Sequence, residues 1–95
     1  MTLADEIRTF TYERYIRPAR ETGVRTVTVR AGDVSDAMVL KDRMPAVCGA
    51  IGSNKFLEQY QLRLVNREGP TIGANVFFTF EIGEKARVPR RGEKV

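Results

Sequence analysis

The side chains able to do chemistry gather in LKDRMPAVCGAIGSNKF, residues 40–56, where the only cysteine, Cys48, stands among cations and beside two glycines. A cysteine attacks as a thiolate, which needs a neighbouring base or cation. Histidine is absent from all 95 residues, which removes Cys/His and Ser/His nucleophile pairs and zinc sites built from Cys and His. Cys48 is instead expected to be a core thiol, and no catalytic residue, metal or cofactor is expected. Asp33 and Asp36 lie three apart and could pair as an acid and a base. The simpler reading is a pair of first-turn carboxylates meeting the positive end of a helix dipole. What remains for residues 40–56 is binding, through Lys41, Arg43 and Lys55.

Charge points the same way. The net charge is +4, and residues 83–95 hold five cations, Lys85, Arg87, Arg90, Arg91 and Lys94, against Glu84 and Glu93. Residues 1–82 therefore net only +1. Attraction to a polyanion is concentrated in a C-terminal arm, expected to be flexible. No apolar run approaches the roughly 20 residues of a membrane span, and MTLADEIRTF has acidic residues where a signal peptide would be basic. A cytoplasmic protein with no membrane partner is expected, and a lone cysteine fits a reducing compartment.

These residues must be held by elements that the patterning suggests. Thr2 is a candidate N-cap with Asp5 three residues on, opening a helix over 3–21 that Pro18 kinks or splits and Gly23 ends. RTVTVR, 25–30, alternates as a strand, and Val34, Ala37 and Met38 give a second helix ended near Val39. Asp42 is a candidate cap for a third, with Pro45 in its first turn. There Met44, Val47, Cys48 and Ile51 form an apolar stripe, and Gly52 breaks the helix. Ser53 can cap one further short helix carrying Phe56, Leu57 and Tyr60 inward. QLRLV, 61–65, and NVFFTFEI, 75–82, alternate as strands about NREGPTIGA, a glycine- and proline-bearing loop long enough to protrude.

Helix, strand, helix, turn, helix, strand, loop, strand resembles the winged helix-turn-helix family of nucleic-acid-binding domains over residues 3–82. The resemblance implies an α+β domain at 1–82, with three helices and a small three-stranded antiparallel sheet, followed by the basic tail 83–95. It makes 31–39 the supporting helix, 43–52 the helix that enters a major groove, and 66–75 a wing from which Arg67 reaches phosphate or minor groove. It further implies a partner, duplex DNA, and a role as a transcription regulator or accessory DNA-binding module, nucleoid-associated in the cell. A protein-docking module and an RNA-binding domain are the alternatives. For the last, GAIG, 49–52, resembles the G-x-x-G loop of KH domains, though it lacks their basic middle residue.

The face of helix 43–52 opposite the stripe is Arg43, Ala46, Gly49, Ala50 and Ser53, with Lys41, Asn54 and Lys55 at its margins. Alanine can touch a thymine methyl and arginine a guanine or a phosphate, yet these side chains hold little of the paired hydrogen-bond code that separates bases. Modest sequence specificity is expected. Phosphate contacts fall to Lys41, Arg43, Lys55, Arg63 and Arg67, with Arg87, Arg90 and Arg91 adding salt-dependent attraction. Tyr12, Tyr15, Tyr60 and Phe77 are aromatics that could sit partly outside the core; packing of the long helix against the sheet is the simpler account of them, and a homodimer is the alternative.

Overall fold

The computed structural model describes residues 2–83. Thr2 and Asp5 form a reciprocal capping box, the threonine hydroxyl accepting from the Asp5 amide at 3.1 Å and the carboxylate accepting from the Thr2 amide at 3.3 Å. The helix they start runs as α1, Leu3–Thr11, then a π-helical turn, Tyr12–Ile16, then α2, Arg17–Glu21. Pro18 explains the interruption: it lacks an N–H and crowds the preceding turn, so the wider turn comes just before it and Pro18 enters the first turn of α2. Gly23, at φ 80°, closes the helix, with the Val24 amide donating to Ala19 O and the Gly23 amide to Arg20 O.

Three strands, β1 Thr26–Arg30, β2 Leu62–Glu68 and β3 Phe77–Ile82, form an antiparallel sheet in the order β1-β3-β2. Val29, Leu62, Phe78 and Phe80 are buried on one face, under the helices. The other face carries the bonded Thr28 and Thr79 hydroxyls and the Arg63–Glu81 ion pair. β2 runs three residues past the expected 61–65 because a bulge at Val65 resets its register, Leu64 pairing with Phe80 but Asn66 with Thr79. The reset puts Arg67 opposite Phe78, on the inner face, with its guanidinium 5.1 Å from the ring centroid.

The remaining helices are α3 Ala31–Ala37, α4 Met44–Ile51 and α5 Asn54–Tyr60. With 3–21 taken as one interrupted helix, the α+β fold has four helices among the described residues, not the three implied by the resemblance. The extra one follows from Ser53, whose hydroxyl accepts from the Phe56 amide at 3.2 Å and starts α5. α5 in turn seats Phe56 edge-on against Phe80 and stacks Tyr60 on Tyr12, with 4.1 Å between centroids. Two of the aromatics expected outside the core thus cover each other, while Phe77 lies 37% exposed on the outer sheet face.

α4 starts one residue later than expected. Asp42 stands at φ 57°, outside the cap, and Arg43 occupies the N-cap position without a side-chain bond. Val47, Cys48 and Ile51 are buried as the stripe predicts, with Met44 half-buried. Ala50 is buried as well, at 3% exposure, because α1 as well as α3 packs against α4.

Candidate nucleic-acid interface

The turn between α3 and α4 sets what this surface presents. Met38 ends α3, the Leu40 amide donates to Ser35 O at 2.9 Å and the Val39 amide to Asp36 O at 3.1 Å, so Val39 is held in the left-handed region at φ 56°. Its side chain is 87% exposed. Lys41 and Arg43 are exposed beside it and, like exposed Arg14, Arg25 and Arg67, pair with no carboxylate among the described residues, whereas Arg8, Arg17, Arg30, Lys55 and Arg63 do. Asp42, also exposed, leaves the turn a net +1.

Beyond Arg43, the outward ridge of α4 is Pro45, half-buried Ala46 and Gly49. A Cβ placed on Gly49 would meet nothing within 4 Å, so the backbone itself is open to a close approach. The burial of Ala50 removes it from the exposed face expected of it, and Pro45 enters instead. Pro45 lies four residues before Gly49, a spacing that shares a helix face. GAIG is the last turn of α4 and its C-cap, not a loop between helices.

At the far end of α4, Ser53 is occupied by the fold: its hydroxyl donates to Ala50 O at 2.8 Å while capping α5. Asn54 is exposed, and its side chain bonds to nothing among the described residues. Lys55 Nζ lies 3.7 Å from Asp5 Oδ1, an oxygen that also accepts from buried Arg8. Asp5 is held from its ordinary 3.8 down to about 2, first by the Arg8 hydrogen bond, then by the bonds from Thr2, with Lys55 adding a smaller pull.

The β2–β3 loop, expected as a wing, is tied down at Thr71 and from Gly73 to Val76. The Ala31 and Gly32 amides, the first of α3, donate to Val76 O and Ala74 O, each at 2.9 Å, so the loop supplies the acceptors that a helix N-terminus needs. Arg30 bridges Asn75 Oδ1 at 2.9 Å and Asp33 at 2.9 Å, and Cys48 Sγ lies 3.8 Å from Gly73 O. Arg67 is on strand β2 rather than in the loop, and it donates to Thr71 O. It remains exposed at the base of the loop.

The structure therefore places Arg43, Ala46 and Gly49 along α4 with Lys41 in the turn before it, and brings the β2–β3 loop to the same helix at Cys48. It sends Arg63 to the outer sheet face, paired with Glu81, and gives Ser53 a capping task. Arg87, Arg90 and Arg91 lie outside the described residues. Asp33 pairs with Arg30, and because α3 begins at Ala31 only Asp33 stands in its first turn. Among the described residues no three His, Cys, Asp or Glu side chains gather to hold a metal, and no helix is long and apolar enough to cross a membrane. The sequence reading missed Val39, for which a valine carries no signal of a left-handed turn. No family model, curated protein or solved structure matches the chain.

Proposed function

We propose that this is a small winged-helix DNA-binding module, acting in the cytoplasm or nucleoid by binding rather than by catalysis. One arrangement supports it: a low ridge of Pro45, Ala46 and Gly49 on α4, with Lys41 and Arg43, which meet no carboxylate among the described residues, at its head and the pinned hairpin beside it. Small residues let a helix backbone come close to a duplex, and the two cations meet phosphates as it does. The N-terminus of α4, which no side chain caps, offers amides to the same phosphates. Asn54, Lys55 and Arg67 lie at the margins of the footprint. With almost no hydrogen-bonding groups on the ridge, base discrimination is modest and the bound sites are chosen mainly by shape.

Electrophoretic shifts with duplex DNA, single-stranded DNA and RNA at two salt concentrations test this. Duplex DNA binds best, and Lys41→Ala with Arg43→Ala flattens the slope of log affinity against log salt by about 2, roughly 0.9 per phosphate contact. An unchanged slope, or no duplex binding, refutes the assignment. The bare ridge also favours a second reading, a protein-docking face, for which Gly49→Glu would abolish partner capture while the Lys41 and Arg43 substitutions would not.

A further inference from the structure

Val39 is a poor choice for the fold that contains it. At φ 56° it occupies a region that a β-branched side chain enters only with strain, and that glycine or asparagine enters readily. The hydrogen bonds of the turn are all backbone bonds or come from Ser35, so none needs a valine. At 87% exposure the side chain gains no burial in return. Strain without a folded-state benefit points to something met outside the chain. The neighbours indicate what that is: Val39 precedes Lys41 and Arg43 in the one turn where exposed cations lead into α4.

Resting on the DNA reading above, we infer that Val39 is an apolar contact to duplex DNA, packing its methyl groups on deoxyribose carbons or a thymine methyl while Lys41 and Arg43 hold the adjoining phosphates. The side chain is carried outward because the left-handed turn carries it there, and the valine is retained for the contact.

Val39→Gly, Val39→Asn and Val39→Ile separate the contact from the strain. The glycine and asparagine variants melt several degrees higher than wild type and bind the same duplex about fivefold more weakly. Isoleucine keeps wild-type affinity. All keep the wild-type salt slope, because no phosphate contact is lost. Replacing thymine by uracil in the duplex weakens wild type but not Val39→Asn where the methyl is the partner, and changes neither where the sugar is. Wild-type affinity in the glycine and asparagine variants overturns the inference and leaves the DNA reading standing. No rise in melting temperature removes the strain on which it stands, and failure of wild type to bind any duplex overturns both.

Discussion

Replacing Gly49 by alanine should stabilise the protein and, on the proposed reading, weaken its hold on DNA. Glycine inside a helix is worse than alanine by roughly 0.8–1 kcal/mol, because it loses more backbone freedom on folding. At Gly49 nothing offsets that gain: α4 is helical on both sides of it, and an added Cβ meets no atom within 4 Å. Because the methyl stays in water, burial adds nothing either. Gly49 is two residues from the helix end, where fraying trims the gain, so about 0.5–1 kcal/mol is expected. In a domain of about 80 residues 1 kcal/mol moves Tm by roughly 4–8 °C, so the variant should melt about 2–8 °C higher. Its urea midpoint should rise with the slope unchanged. Circular dichroism followed through heating and through urea measures both. A fall in Tm would refute the open placement of Gly49, and with it the geometry of the ridge. The binding half is read on the same samples: the alanine methyl should weaken duplex binding slightly and Gly49→Glu strongly. If both variants bind as wild type does, α4 is not the surface that meets DNA.

Two further substitutions probe the ends of the structure. Gly69→Ala should cost about 2–4 kcal/mol, because Gly69 stands at φ 102° and its Cβ would sit on the carbonyl oxygen of Asn75, lifting the loop off α3. Thermal unfolding measures the loss, and a variant as stable as wild type would show that the β2–β3 loop is not pinned. Asp5 titrates at about 2 in the folded chain against an ordinary 3.8, so its contribution is complete above about pH 4 and is lost as pH falls toward 2. Asp5→Asn should therefore show a shallower loss of Tm over that window than wild type, and equal acid slopes would exclude the pairing with Arg8.

The parts of this fold visible in the sequence are those set by neighbours along the chain. Thr2 and Asp5 announced a helix start, Pro18 an interruption and Gly23 an end, and each does so through a backbone group within a turn of itself. The stripe of Met44, Val47, Cys48 and Ile51 faces the core because helical spacing alone fixes it. What was hidden depends on distant partners or on strain. Ala50 is buried on a helix that packs against both α1 and α3, the bulge at Val65 is a matter of register with β3, and Val39 adopts a left-handed backbone against its residue type. The candidate site was legible in the same proportion: the exposure of the cations before α4 could be read, while the ridge they lead to had to be corrected at Ala50, Pro45 and Ser53.

The strand order β1-β3-β2 also bears on how the chain is made. The central strand is the last of the three to be synthesised, so β1 and β2 each wait without a partner until Phe77–Ile82 has emerged. Val29 then meets Phe78 across almost fifty residues, a separation that slows folding and leaves open strand edges on a nascent or truncated chain. A chain cut before Phe77 would hold two unpaired strands, and would be expected to aggregate rather than fold in part.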